Sequence, residues 1–204
     1  KLIRKLSDMR GISGFEYRLT DQIADMFKKY CDDVKIDSLG SVIAVKRSNK
    51  PNAPKLMIEA HCDEIGLIVT SITDEGYLTF ANVGGVDERT LPSTEVTVHG
   101  KEDLWGVIGI KPNYLLEQGK TAKLKELAVD TGLSAEKVKE IVAVGDSITL
   151  AQSVGRLGKK QFSGKSLDDR ASVAAIMRVM KNIKDLDIDI DVYAVAAVQE
   201  EVGC

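Results

Sequence analysis

The most informative stretch of the sequence is residues 191–204, which read DVYAVAAVQEEVGC. The run from Val192 to Val198 consists of small and β-branched residues, the pattern of a strand buried on both faces. Two adjacent acids, Glu200 and Glu201, follow this run almost directly. Because burying carboxylates at the end of an apolar strand is costly, the ending predicts a compensating cation or proton.

Two other segments end in the same way. The apolar run at 55–60 leads into His61-Cys62-Asp63-Glu64, and residues 166–170, SLDDR, come just before an apolar helix. In an open α/β sheet, ligands bind beyond the carboxyl ends of the strands. We therefore expect the imidazole and the acids to converge there as metal ligands.

Each motif also has an ordinary structural interpretation. His61 could be a hydrogen-bonded histidine at a strand end. Asp168 and Asp169 could be an N-cap acid and a helix-dipole acid. Glu200 and Glu201 could lie in a solvated loop. His99 has no acid constellation beside it in the sequence, and we interpret it as structural.

Composition limits the function classes. The chain has 204 residues and a net charge of −3, which argues weakly against nucleic acid as its main partner. No apolar run approaches the roughly 18 residues of a membrane span, and no signal peptide is evident. The three cysteines lack CxxC spacing, which favours a reduced, cytoplasmic protein. The missing initiator Met, and an end three residues after Glu201, suggest a fragment of a longer chain.

The pattern of apolar residues along the sequence predicts an α/β domain split by an insertion. Residues 1–66 and 162–204 have the apolar patterns of buried strands and helices, whereas 67–161 alternate in short runs typical of a small β domain. Near the start, Ser13 and Glu16 have the spacing of a capping box for the helix that follows. Serine-nucleophile and nucleotide-binding motifs are absent from the sequence. Acids accompanied by a histidine favour metal chemistry over glycoside hydrolysis.

The three site motifs together resemble one family. Residues 61–66 (HCDEIG), 167–170 (LDDR) and 198–203 (VQEEVG), in this order around a β insertion, resemble the tetrahedral (TET) aminopeptidases. This family of two-metal exopeptidases includes glutamyl and deblocking aminopeptidases, and some members have been catalogued as endoglucanases. The resemblance implies a zinc-exopeptidase-like α/β/α catalytic domain with a mixed sheet, interrupted by a small β-barrel-like domain.

The resemblance also implies roles for five residues. His61 is similar to a ligand of one zinc, Asp168 to the carboxylate that bridges both metals, and Glu201 to a ligand of the other metal. Glu200 is similar to the general base, and Asp63 to the acid behind His61. The implied cofactors are two divalent ions, zinc or cobalt.

The implied activity is hydrolysis of N-terminal residues from peptides. The family also implies a cis peptide bond between Asp168 and Asp169, and dimers that assemble into a closed dodecamer through the insertion. Because the family uses a further Asp and His toward its C-terminus, we expect the 204-residue chain itself to be inactive. The alternatives are a metal-dependent glycosidase of the endoglucanase type and a non-catalytic assembly module.

Overall fold

The computed structural model describes residues 1–110 and 122–203. The chain divides into two compact units: the first consists of residues 1–64 and 153–204, and the second of residues 65–152. The sequence analysis predicted that the inserted domain covers residues 67–161, whereas the second unit covers residues 65–152. The described helices are α1 (Leu2–Ser7), α2 (Tyr17–Phe27), α3 (Ala135–Ile141) and α4 (Leu167–Ile183).

A four-stranded mixed sheet forms the centre of the first unit. Its strands are β1 (Asp33–Ile36), β2 (Val42–Lys46), β3 (Lys55–His61) and β12 (Asp191–Ala197), in the order β1-β2-β12-β3. Strand β12 runs antiparallel to β2 and parallel to β3, with Ala197 opposite His61. Since parallel strands end at the same edge, the residues after His61 and after Ala197 emerge side by side.

The apolar core of this unit lies between the sheet and helices α1, α2 and α4. Leu6, Phe27 and Met177 are among its fully buried side chains. Strand β12 is buried less evenly than its composition predicted: alternate residues are buried, and those between them remain partly exposed. The prediction of burial on both faces is therefore wrong for one of the two faces.

Helix α4 begins irregularly. Its second and third residues, Asp168 and Asp169, have non-helical backbone angles, and the peptide bond between them is cis, which confirms that expectation. The preceding hairpin consists of β10 (Gly155–Leu157) and β11 (Gln161–Ser163).

The predicted capping box before α2 is wrong. Glu16 occupies the N-cap position, but its side chain caps nothing. The Ser13 hydroxyl donates instead to Asp63, and the Glu16 carboxylate accepts the N–H of Gln199. Because hydrogen bonds to carboxylates inside a protein are stronger than local caps exposed to water, distant partners displace the local pattern.

The second unit is a closed six-stranded β-barrel. This confirms the β-barrel-like insertion that the family resemblance implied. Its strands are β4 (Gly66–Ile72), β5 (Leu78–Val83), β6 (Glu95–His99), β7 (Asp103–Ile110), β8 (Leu127–Asp130) and β9 (Ser147–Leu150). They pair in the order β4-β5-β8-β7-β6-β9 around an apolar interior that includes Leu67, Ile108 and Ile148. Among the described residues, no helix is long and apolar enough to cross a membrane.

Two cysteines test the packing of the first unit. Cys31 and Cys62 are free thiols, and burial raises their pKa to about 11 and about 12 respectively. Because the thiolate is the reactive form, both should resist iodoacetamide at pH 8 in the folded chain and react in urea. Peptide mass spectrometry measures this, and rapid native alkylation of Cys62 would contradict the packing. Cys204 lies outside the described residues.

Candidate metal centre

His61 lies at the end of β3, where it faces two acids from other segments. Its Nε2 atom is 3.3 Å from Oδ1 of Asp168 and 3.7 Å from Oε2 of Glu200. His61 itself is buried, whereas the side chain of Asp168 is 91% exposed and that of Glu200 is half exposed. The site therefore has a buried imidazole on its protein side and carboxylates on its solvent side.

Glu201 completes the group. Ligand atoms of His61, Glu200 and Glu201 all lie within 4.8 Å of one another, close enough to share a cation. This compact group contains the predicted base, Glu200, whereas Asp168 approaches through its contact with His61. All four side chains thus meet at one end of the sheet.

Asp63 lies behind this group and is completely buried. It accepts hydrogen bonds from the Ser13 hydroxyl at 2.6 Å and from the backbone N–H groups of Glu200 and Glu201 at 3.2 and 3.1 Å. Its Oδ1 is also 3.3 Å from Nδ1 of His61, although that nitrogen makes no hydrogen bond to any described residue. Asp63 therefore contacts the imidazole and holds the backbone of both glutamates.

The charges at this site are unbalanced. Burial raises the pKa of Glu201, and the negative charges of Asp63, Asp168 and Glu200 raise it further, against the opposing effect of His61. For His61, burial alone lowers the pKa, but the surrounding carboxylates outweigh it and leave the pKa above its ordinary value. A donor set of one imidazole and several carboxylates suits divalent ions such as zinc, and a cation would relieve this repulsion.

A second buried acid, Glu64, braces the start of α4. Its carboxylate accepts two hydrogen bonds from Lys165, at 2.8 and 2.7 Å, another from the Ser166 hydroxyl, and one from the N–H of Gly11 at 3.1 Å. Lys165 and Ser166 come immediately before the segment that carries Asp168. Glu64 thereby ties the end of β3 to that segment.

Arg170 extends this support inside the protein. Its guanidinium is fully buried, and it donates to the carbonyls of Cys62 at 2.7 Å, Leu6 at 3.0 Å and Gly11 at 3.2 Å. One nitrogen also lies 3.4 Å from Glu64. A buried cation needs such partners, and these connect the N-terminal segment, the end of β3 and α4.

Sequence reasoning named the five residues at the site but missed their supports. Glu64 and Arg170 stand inside the quoted motifs, yet nothing in their spacing indicates burial. Lys165 carried a detectable signal, a lysine next to a motif rich in acids. Ser13 and Glu16 were noticed only for a local role.

His99 makes two structural contacts on the barrel. In the second unit, its Nδ1 lies 2.9 Å from Oδ1 of Asp103, and its Nε2 lies 2.9 Å from the hydroxyl of Thr149. Because β6 and β7 pair directly, one acid lies beside His99, and both contacts agree with the structural interpretation.

Comparisons with known proteins identify the class. The chain is 35% identical, over its whole length, to a lysyl aminopeptidase of Pyrococcus furiosus. It also resembles the solved structure of an aminopeptidase from Desulfurococcus kamchatkensis, with a TM-score of 0.92 and 37% identity over 99% of the chain. The fold is thus the one found in these aminopeptidases. The chain belongs to the M42 glutamyl aminopeptidase family, whose model matches residues 40–204.

Two further structures bear on the alternatives. A TET1 peptidase of Pyrococcus horikoshii, described as able to form a tetrahedron or a large octahedral shell, matches 98% of the chain at 35% identity, TM-score 0.87. A Thermotoga maritima protein named as an endoglucanase matches 98% at 34% identity, TM-score 0.83. The chain spans 60% of the P. furiosus protein and 56%, 61% and 59% of the D. kamchatkensis, P. horikoshii and T. maritima chains, respectively.

The titration of His61 tests this charge arrangement without metal. Its pKa in the folded chain is raised above the ordinary 6.5, so its contribution to the free energy of unfolding is complete below pH 6.5 and is lost as pH rises through the folded value. We therefore expect His61→Gln to destabilise the chain more at pH 6 than at pH 9. Urea unfolding measures this, and an equal loss at both pH values would contradict the convergence of the acids on His61.

Proposed function

We propose that the chain carries the general base and metal ligands of a metal-dependent aminopeptidase. The observation that supports this most directly is the convergence of His61 with Asp168, Glu200 and Glu201 at the carboxyl end of two parallel strands. The activity, substrates and partners of the whole protein are part of this proposal, because the chain matches only part of each relative's length.

The proposed metal ligands are His61, Asp168 and Glu201. Two divalent ions, zinc or cobalt, are proposed as the cofactors, since imidazole and carboxylate oxygens suit both metals. When bound, the ions would supply a lowered pKa for water and polarisation of a peptide carbonyl.

Glu200 is proposed as the general base. Its carboxylate is half exposed and therefore open to water and substrate. It would accept a proton from the attacking water and return that proton to the leaving amine. Asp63 would keep Glu200 and Glu201 in place through their backbone N–H groups and contact His61 from behind. Excess negative charge around the site favours the cationic amino terminus of a peptide.

The alternatives have weaker support. The glycosidase interpretation depends on the name of the T. maritima structure. The matching family is one of glutamyl aminopeptidases, and the P. furiosus relative is named a lysyl aminopeptidase. An assembly module without activity would not need a glutamate at residue 200 facing the imidazole.

Self-assembly and location complete the proposal. We propose that the protein forms homo-oligomers, up to a dodecamer. It resembles the P. horikoshii peptidase described as able to form a tetrahedron or a large octahedral shell, and a solved TET1 structure described as a dodecamer. We also propose a reducing, cytoplasmic location, which agrees with the free thiols of Cys31 and Cys62.

Metal titration separates ligands from base. In the 204-residue chain, His61→Ala and Glu201→Ala should weaken Co²⁺ affinity at least about tenfold, because each removes a ligand. Glu200→Gln should leave the affinity nearly unchanged and abolish hydrolysis of leucyl or glutamyl anilides by the complete gene product. Glu140→Gln, at an exposed position on α3, is the matched control.

Calorimetry of the complete gene product gives the stoichiometry, for which two ions per subunit are expected. Loss of Co²⁺ binding in Glu200→Gln would make Glu200 a ligand and refute its role as base. Hydrolysis of cellulose oligomers in place of aminoacyl anilides would refute the aminopeptidase proposal.

A further inference from the structure

Three consecutive backbone N–H groups at the site all donate to buried carboxylates. The N–H of Gln199 donates to Oε1 of Glu16 at 3.0 Å. The N–H groups of Glu200 and Glu201 donate to Oδ1 and Oδ2 of Asp63. Two buried acids therefore bind the short piece of backbone that carries the acid pair.

The loop at residues 11–16 supplies much of this arrangement. Ser13 is 6% exposed, and its hydroxyl donates at 2.6 Å to the same Asp63 oxygen that accepts from Glu201. Glu16 is 5% exposed. Buried polar side chains are retained where their hydrogen bonds are satisfied, and here both bonds lead to the acid pair rather than to the neighbouring helix.

The backbone at Gln199 explains why such support is needed. Its φ is +61°, in the left-handed region that non-glycine residues rarely adopt. A 3₁₀ turn, Glu200–Val202, follows immediately. Since residues in this region persist only where their surroundings hold them, the bond to Glu16 fixes the point at which the chain leaves β12 and turns into the site.

We propose that Ser13 and Glu16 are positioning residues for the acid pair, Ser13 through Asp63 and Glu16 through Gln199. The proposed roles of Glu200 and Glu201 rest on the function proposed above. Their placement by Ser13 and Glu16 does not depend on that function. Removing either side chain should free the backbone locally and weaken metal binding, although neither residue is a proposed ligand.

Amide hydrogen exchange in the metal-free 204-residue chain tests placement directly. Glu16→Ala should speed exchange at Gln199, and Ser13→Ala at Glu200 and Glu201, by about fivefold, the equilibrium worth of one hydrogen bond. The variants Glu16→Gln and Ser13→Thr keep an acceptor oxygen or a hydroxyl and should restore slow exchange.

Thr20→Ala is the matched control. Thr20 is a buried residue whose hydroxyl donates within α2, to the carbonyl of Tyr17, so its loss should leave the three site amides unchanged. The amide of Val173, in the core of α4, reports general loosening. An equal rise at Val173 and at the site amides, or no change at the site, would overturn the proposal.

A Co²⁺ titration, followed by absorption, links placement to the metal centre. Ser13→Ala and Glu16→Ala should lower the affinity about tenfold, and Thr20→Ala should leave it within about twofold. Faster exchange with unchanged Co²⁺ affinity would overturn the positioning role. If the unaltered chain binds no Co²⁺, the proposed metal centre fails, while the exchange results still decide whether Ser13 and Glu16 hold the acid pair.

Discussion

The burial of the Asp63 carboxylate is the constraint on which the site depends. A carboxylate without exposure is tolerated only when donors surround it. Those donors are the Ser13 hydroxyl and the N–H groups of Glu200 and Glu201, which come from the two ends of the chain. Satisfying one buried acid thus brings three distant segments together. The next residue, Glu64, is also a buried acid, and its hydrogen bond from Lys165 links it to the segment before Asp168.

Electrostatic repulsion between the carboxylates of the site opposes this arrangement. The structure places acids around one imidazole, and their mutual repulsion is reflected in the raised pKa of Glu201. Such crowding is unfavourable for the isolated chain but suits a site that binds divalent cations. Asp63 binds the backbone of Glu200 and Glu201, and Glu64 binds the segment just before α4. The residues that hold the site in place therefore differ from the proposed ligands and base.

Much of this site was predictable from the sequence, because histidine and acidic residues follow directly after apolar runs. The strand ending at His61, the acids at 200 and 201, and an inserted β domain follow from composition and pattern, whereas the barrel form of that domain was implied by the family resemblance. The parallel register that sets His61 opposite Ala197 is not encoded in either strand alone. The roles of Ser13 and Glu16 were hidden, because a local capping pattern fits them equally well and only tertiary folding supplies Asp63 and Gln199. Likewise, adjacent acids such as Asp63 and Glu64 give no signal about which one faces which neighbour.

Anomalous diffraction from crystals of the chain soaked in zinc shows whether His61 and the acids around it bind a divalent cation. A zinc peak is expected within roughly 2.0–2.2 Å of Nε2 of His61 and of a carboxylate oxygen from Asp168 or Glu201. Asp63 should remain bound to the two backbone N–H groups. Zinc bound only elsewhere in a folded chain, or no peak at this site at saturating zinc, would contradict the proposed metal centre.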